Sequence, residues 1–342
     1  MNRRVVPIAN LQPTMGNPSV LYPLAFQPIF KERVWGGRNL ARLYRKPLPP
    51  NVPIGESWEI VDRAADLSVI ANGAHAGRTL RWLMEQHGPA LLGSARASGG
   101  RFPLLVKILD AEDRLSLQVH PPASIAAKLG GEAKTEIWYV ADARPGAELF
   151  VGLRSGTSRA EFEQRIQDGT VADCFHRIRV KRDDALFLPS GRVHALGAGN
   201  VVFEIQQSSD TTYRVFDWNR TGLDGQPREL HVEQSLACID FSDFEPALVS
   251  AEWKPQGEVQ VRRLVSDALF VVDELRSTGP AECPVAVGVA TILGVVRGSV
   301  KVPSGDEELG VTAGSFCLMP ASLKDPVIRL EEDTAVLRVV PG

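Results

Sequence analysis

The stretch Asp113–Pro122, with the sequence DRLSLQVHPP, alternates apolar and polar residues. The apolar set is Leu115, Leu117 and Val119, and the polar set is Ser116, Gln118 and His120. Because successive side chains of a β-strand point to opposite faces, one face of this strand is aliphatic and the other carries a hydroxyl, an amide and an imidazole. We predict that the aliphatic face packs in a core and that the polar face lines a functional site.

Short strands separated by turns are predicted for most of the chain. The runs FPLLVKIL, EIWYVA, ALFLPS and VVFEIQQ are bounded by turn residues, and the sequence contains 30 Gly and 24 Pro. This pattern is typical of an all-β sandwich or barrel. Two helices are predicted, at Arg78–Gly93 and at Ser158–Gly169, where Ser158 and Glu161 have the spacing of a capping box.

The β-rich pattern divides into two blocks. We expect a flexible N-terminal extension over residues 1–21, a catalytic domain over 22–245, a linker or crossing segment over 246–257 and a second β domain over 258–342. The later motif LGVTAGSFCLMPAS is similar to VKRDDALFLPSGRVHALG in the first block, but no histidine follows His231. The sequence therefore predicts two barrels of one kind, of which only the first holds a metal.

Composition excludes several classes of partner. The net charge is −3 over 342 residues, so nothing in the composition suggests nucleic acid or an anionic membrane as a partner. No apolar run approaches the roughly 18 residues that a membrane span needs, and the N-terminal residues do not resemble a signal peptide. The four cysteines are scattered, which favours reduced thiols. We expect a cytoplasmic protein that is a monomer or a weak homodimer.

Four side chains form a predicted metal site. Gln118 and His120 share the polar face, Glu136 begins the strand of KTEIWYV, and His194 follows the turn of LPSGRV. Two imidazoles, one carboxylate and one amide oxygen can hold a divalent ion. Zinc accepts such ligands, and two histidines with one carboxylate also suit Fe(II).

The order of these motifs resembles that of the cupins, with Gln118 in the place of the first histidine. The motifs LSLQVHPP, KTEIWYV, LPSGRVHALGAG and EIQQSSDTTYRVFDWNR, preceded by WGG and IGESWEI, resemble one cupin family in particular, the type I phosphomannose isomerases. The short segment between Glu136 and His194 is similar to the compact bacterial form. The resemblance implies two cupin-like jelly-roll barrels with a few short helices. It also implies one zinc ion per chain, held by Gln118, His120, Glu136 and His194, and a sugar phosphate substrate, with interconversion of mannose 6-phosphate and fructose 6-phosphate through a cis-enediol intermediate.

Further site residues are predicted around the metal. The resemblance implies that Arg214, in TTYRVFDW, is the catalytic arginine. Lys134 would share a strand face with Glu136, and Glu204 lies among apolar residues in VVFEIQQ. Both are candidates for the base that takes the carbon proton, as is a metal-bound water. Because no Gly-rich phosphate loop is present, we expect Ser116 and Lys107 to help hold the phosphate.

Two alternatives remain at this point. The first is a cupin dioxygenase that uses Fe(II), against which Gln118 and the arginine motif count. The second is a non-catalytic sugar-binding cupin, against which the intact ligand set counts. Metal analysis and oxygen uptake would separate the first alternative from an isomerase.

Overall fold

The computed structural model of the chain describes residues 4–7, 21–305 and 307–342. The expected N-terminal extension, residues 1–21, lies outside the described residues except for a strand at Arg4–Pro7 and for Leu21. The predicted mainly β class with few helices is confirmed. No described helix has the length and apolar character that a bilayer crossing requires.

The described strands are β1 (Arg4–Pro7), β2 (Ile29–Gly37), β3 (Ile54–Ile60), β4 (Asp62–Arg63), β5 (Asp66–Leu67), β6 (Leu104–Ala111), β7 (Leu117–Val119), β8 (Glu136–Ala143), β9 (Glu148–Leu153), β10 (Phe175–Arg179), β11 (Ala185–Leu188), β12 (His194–Leu196), β13 (Asn200–Gln207), β14 (Tyr213–Phe216), β15 (Lys254–Gln256), β16 (Val259–Ser266), β17 (Phe270–Ser277), β18 (Ala281–Pro284), β19 (Thr291–Arg297), β20 (Ser299–Ser304), β21 (Glu307–Thr312), β22 (Phe316–Met319), β23 (Val327–Leu330) and β24 (Thr334–Pro341). The described α-helices are α1 (Asn39–Tyr44), α2 (Leu80–Leu92), α3 (Arg159–Gln167) and α4 (Val232–Cys238).

The two predicted helices are confirmed as α2 and α3. The hydroxyl of Ser158 accepts a hydrogen bond from the backbone N–H of Glu161 at 3.1 Å, so the predicted N-cap begins α3. Thr79 caps α2 in the same way, through the N–H of Trp82.

The chain forms two compact units that are not continuous in sequence. The site unit contains residues 30–57 and 106–249, and the second unit contains the described residues up to 29, residues 58–105 and the described residues of 250–342. The grouping differs from the continuous limits 22–245 and 258–342, because residues 58–105 belong with the C-terminal strands. Local residue patterns do not show that the chain passes from one unit to the other and back, since this depends on which distant segments pack together.

The core of the site unit lies between two sheets. One has the strand order β10-β9-β12-β7-β14 and the other the order β11-β8-β13-β6-β2-β3. Trp138 and Val140 of β8 share one buried cluster with Leu149 and Val151 of β9, so the sheets pack face to face. The sheets stay open at their edges, as in a jelly-roll sandwich.

The second unit repeats this arrangement. Its sheets have the orders β1-β21-β20-β23-β18 and β15-β16-β17-β24-β19-β22. Val300 and Ile328 from the first sheet share a buried cluster with Leu275 and Val336 from the second. Among its described residues, this unit contains no group of three or more His, Cys, Asp or Glu side chains arranged to hold a metal.

Two glycines allow β2 and β3 to lie close together. A Cβ on Gly36 would lie 2.4 Å from the backbone N of Gly55, and a Cβ on Gly55 would lie 2.6 Å from the ring of Trp35. These contacts explain Gly36 of WGG and Gly55 of IGESWEI. The same strands carry Arg33 and Glu56 to the cavity described below.

Candidate functional site

Strand register brings three of the predicted site residues into one row. On β7, Gln118 pairs with His194 of β12 on one side and with Arg214 of β14 on the other. Because directly opposed residues of an antiparallel pair project from the same face, these three side chains lie together. The polar face predicted for the stretch around Gln118 is therefore the face that carries the site.

His120, Glu136 and His194 form a buried cluster that can hold a metal ion. Nε2 of His120 lies 3.6 Å from Oε2 of Glu136, and Nε2 of His194 lies 3.4 Å from Oε1. One candidate ligand atom from each residue falls within 4.8 Å of the others. Glu136 comes from the sheet opposite the one that carries His194, so the cluster lies between the two sheets.

The contact at Nδ1 of each imidazole determines whether Nε2 carries a proton or a lone pair. Nδ1 of His120 lies 2.9 Å from the carbonyl oxygen of Thr211, and Nδ1 of His194 lies 2.9 Å from that of Arg192. A carbonyl oxygen only accepts hydrogen bonds, so Nδ1 carries the proton in both rings and each Nε2 presents a lone pair toward Glu136. Backbone contacts of this kind orient histidine ligands in metalloproteins.

Burial keeps both imidazoles neutral. Desolvation, assisted by the positive charge of Lys134, lowers the pKa of His120 to about 3, and burial also lowers the pKa of His194. Burial alone would raise the pKa of Glu136, but the ammonium of Lys134 together with the contacts of His120 and His194 outweighs it and holds the pKa of Glu136 well below its usual range. Neutral imidazoles and an ionised carboxylate are the forms that bind a metal.

These residues fit a divalent cation. Two Nε2 lone pairs converge on a carboxylate whose oxygens accept no hydrogen bond of suitable geometry among the described residues, although the ammonium of Lys134 forms an ion pair with Oε2. A cation would satisfy these acceptors together, and nitrogen and oxygen donors of this kind suit zinc or iron. Nε2 of Gln118 lies 3.3 Å from Nε2 of His194, so Gln118 would have to turn its amide to offer oxygen as a fourth ligand.

Lys134 lies against this cluster. Its Nζ is 2.9 Å from Oε2 of Glu136 and 3.1 Å from Nε2 of His120. Burial opposes the charge on Lys134, but the carboxylates of Glu136 and Glu204 outweigh it and raise the pKa. Lys134 therefore stays an ammonium ion at neutral pH.

Glu204 differs from Lys134, because its surroundings favour the neutral form of its side chain. Its Oε1 accepts a hydrogen bond from Nε1 of Trp138 at 2.9 Å, and its Oε2 lies 3.5 Å from Nζ of Lys107. Burial raises the pKa of Glu204, and the negative charge of Glu136 raises it further. A carboxyl group whose pKa moves toward neutrality can both accept and donate a proton.

A cavity of about 580 Å³ in the site unit connects these groups. Of the predicted residues, it is lined by Lys107, Ser116, Gln118, Lys134, Glu204 and Arg214. The other three predicted residues, His120, Glu136 and His194, form the cluster that can hold a metal, and this cluster contacts the cavity lining through Gln118 and Lys134. The structure thus brings all nine predicted residues together.

Arg214 differs from the other cations of the cavity. Its Nη1 donates to the carbonyl of Glu229 at 2.7 Å, while its Nε is buried without a hydrogen-bond partner in the described part of the chain. By contrast, Arg33 forms an ion pair with Glu56, and Arg228 forms one with Asp217. Burial lowers the pKa of Arg214, and the nearby charge of Arg228 adds to this effect. Its guanidinium is therefore available to an anionic ligand.

Several lining residues were missed from the sequence: Arg33, Glu56, Trp138, Asp210 and Arg228. Trp138 is two residues after Glu136 on β8, so alternation along that strand was a usable signal. Asp210, on the loop between β13 and β14, and Arg228, on the loop after β14, have no local pattern that marks them.

Comparison with known proteins agrees with this architecture. Residues 24–163 match the family model for the catalytic domain of type I phosphomannose isomerase. The probable mannose-6-phosphate isomerase GmuF of Bacillus subtilis (strain 168) is 36% identical over 302 residues, which cover 88% of this chain and 94% of that protein.

The chain belongs to the type I phosphomannose isomerase family.

Two further family members support the assignment. The mannose-6-phosphate isomerase of Streptococcus mutans is 35% identical over 303 residues, which cover 88% of this chain and 93% of that protein. The crystal structure of the mannose 6-phosphate isomerase from Bacillus subtilis superposes with a TM-score of 0.84 at 30% identity, covering 93% of this chain and 99% of that structure. The resemblance inferred from the sequence motifs is confirmed, and so is the cupin-type fold.

Proposed function

We propose that the protein interconverts D-mannose 6-phosphate and D-fructose 6-phosphate in a metal-dependent reaction. The observation that carries the proposal is the buried His120, Glu136 and His194 cluster beside a cavity lined by Glu204 and Arg214. Membership of the phosphomannose isomerase family supplies the substrate class. The aldose and the ketose differ by one proton moved between C1 and C2 and by a second moved between the two oxygens.

Glu204 is our candidate for the group that moves the carbon proton. Its raised pKa makes it a better base than an ordinary carboxylate, and Trp138 holds one of its oxygens in place. Lys134 has a raised pKa and so holds its proton, which suits a donor of hydrogen bonds to sugar oxygens rather than a base.

Arg214 is our candidate for stabilising negative charge. Removal of the carbon proton produces a cis-enediolate, whose charge lies on oxygen. A guanidinium that has no carboxylate partner within ion-pair distance among the described residues can interact fully with that charge. A bound divalent metal would polarise the sugar oxygens and lower the cost of the same charge.

The phosphate group would be held by Ser116 and Lys107. Both are buried and line the cavity. Lys107 lies 3.5 Å from Glu204 and 3.7 Å from Asp210, so a phosphate would share its ammonium with these carboxylates.

We further propose that the metal is zinc, held one per chain by His120, Glu136, His194 and the turned amide of Gln118. The chemistry would be confined to the site unit, within the predicted limits 22–245, and the C-terminal strands of residues 258–342 would hold no metal. The four cysteines are unpaired and buried, which supports our placement of the protein in the cytoplasm. We propose a monomer or weak homodimer that needs neither nucleic acid nor membrane.

A coupled assay of mannose 6-phosphate conversion tests the function. We expect zinc-loaded protein to convert mannose 6-phosphate, to leave glucose 6-phosphate unchanged, to lose activity with a chelator and to regain it with added zinc. His194→Ala is the matched variant, and it should remain inactive after zinc is restored. A folded, zinc-loaded protein that does not convert mannose 6-phosphate would refute the proposal, and oxygen uptake would point to the dioxygenase alternative.

A further inference from the structure

Lys134 contacts two of the atoms that would bind the metal. Its Nζ lies 3.1 Å from Nε2 of His120 and 2.9 Å from Oε2 of Glu136, and its side chain is buried. Because Nδ1 of His120 faces the carbonyl of Thr211, Nε2 of that ring has its lone pair free to accept a proton donor. The ammonium of Lys134 is such a donor.

An imidazole nitrogen has one lone pair in the plane of its ring. That lone pair can accept a hydrogen bond from an ammonium group or bind a metal at about 2.0–2.1 Å, but it cannot do both. Repulsion between two cations adds to this exclusion, because a buried site screens charge weakly. Lys134 and a metal therefore cannot both bind His120 Nε2.

The cavity offers the ammonium another position. Lys134 lines the cavity together with the carboxylates of Glu204 and Asp210. A lysine side chain that releases His120 can turn toward these groups and keep its charge compensated. It would then lie where the sugar is proposed to bind.

We propose that Lys134 is an internal competitor for the metal. Its ammonium neutralises Glu136 and occupies His120 Nε2, and metal binding displaces it into the cavity. Lys134 therefore lowers the affinity of the site for metal and stabilises the protein without metal. This inference rests on the metal site of the proposed function.

The test compares zinc affinity and thermal stability in full-length variants. Lys134→Met removes the charge and keeps the length of the side chain. Lys134→Gln keeps a polar group and is the second variant in case Lys134→Met does not fold. Lys107→Met is the matched control, because Lys107 is also buried in the cavity lining but lies near Glu204 and Asp210. Zinc dissociation constants are measured by competition with a chromophoric chelator, and melting temperatures are measured with chelator and with zinc.

Loss of a buried charge-assisted hydrogen bond should tighten zinc binding in both Lys134 variants by about 10- to 100-fold. Their melting temperatures should fall in chelator, where Glu136 loses its partner, and should match the wild type in zinc. Lys107→Met should change zinc affinity much less.

Three results would contradict the inference. Unchanged or weaker zinc binding in both Lys134 variants would overturn the inference. The proposed function would still stand in that case, provided that the wild type binds zinc and isomerises mannose 6-phosphate. Equal tightening in Lys107→Met would show a general effect of charge and would also overturn the inference. A wild type that binds no zinc would overturn both the inference and the proposed metal site.

Discussion

Gln118 and Arg214 are direct partners across the antiparallel pair of β7 and β14. The pairing brings a proposed metal ligand and the proposed charge-stabilising group to the same face of one sheet, and both line the cavity. A sugar whose oxygens reach the metal would therefore be close to the guanidinium. This relationship leads to the first of four predictions.

Replacement of Arg214 by alanine should lower kcat by about 10²–10³, the usual cost of losing one well-placed stabiliser of transition-state charge. KM should rise much less, because the charge develops only during proton transfer. Lysine should restore little, since an ammonium lacks the planar guanidinium. Steady-state kinetics with zinc analysis on the same samples provides the check. A near-normal kcat with a raised KM would instead assign Arg214 to phosphate binding.

Glu204→Gln should lower kcat by about 10²–10⁴, the range that general acid–base catalysis contributes. Gln can still accept the hydrogen bond from Trp138, so the variant isolates the loss of the proton-transfer group. The variant should also be more stable than the wild type at neutral pH. Burial raises the pKa of Glu204, so the folded state binds its proton more tightly than the unfolded state and loses stability as pH rises through the raised pKa.

Urea unfolding of Glu204→Gln and wild type between pH 4 and pH 8 measures this difference. The stability advantage of the variant should grow with pH and be smallest at the acid end. An advantage that does not change with pH would mean that Glu204 has an ordinary pKa.

Trp138→Phe should shift the pH dependence of kcat. The hydrogen bond from Nε1 of Trp138 lowers the pKa of Glu204, so its loss raises that pKa further. If ionised Glu204 is the base, the acid limb of the kcat profile moves to higher pH. The buried ring also loses volume, which costs about 1–3 kcal/mol of stability. A pH profile identical to that of the wild type, with only stability reduced, would exclude Glu204 as the titrating base.

Protein treated with a chelator should lose stability in mild acid. Burial lowers the pKa of His120 to about 3, so below its usual pKa near 6.5 the unfolded state binds a proton that the folded state does not. Each pH unit below that value costs up to about 1.4 kcal/mol until the folded pKa is reached. Urea midpoints at pH 7 and pH 5 measure the loss, and His120→Gln, which cannot titrate, should show a smaller one. Equal losses in the two proteins would mean that His120 is not the group responsible.

The sequence by itself determined the features that depend on neighbours along the chain. Alternation from Leu115 to His120 predicted a strand with a polar face, and Ser158 predicted the start of a helix. The strand itself covers only Leu117–Val119, and Leu115, which was expected to pack behind the polar face, lines the cavity. The motif order was sufficient to indicate the family, and it selected the residues that the structure brings around one cavity.

Only the tertiary structure decided which groups touch. The contact of Lys134 with His120, the hydrogen bond from Trp138 to Glu204 and the ion pair of Arg228 with Asp217 join residues whose local patterns say nothing of each other. The grouping of residues 58–105 with the C-terminal strands is of the same kind. Alternation records only the two faces of a single strand, whereas these contacts depend on the pairing and register of strands distant in sequence.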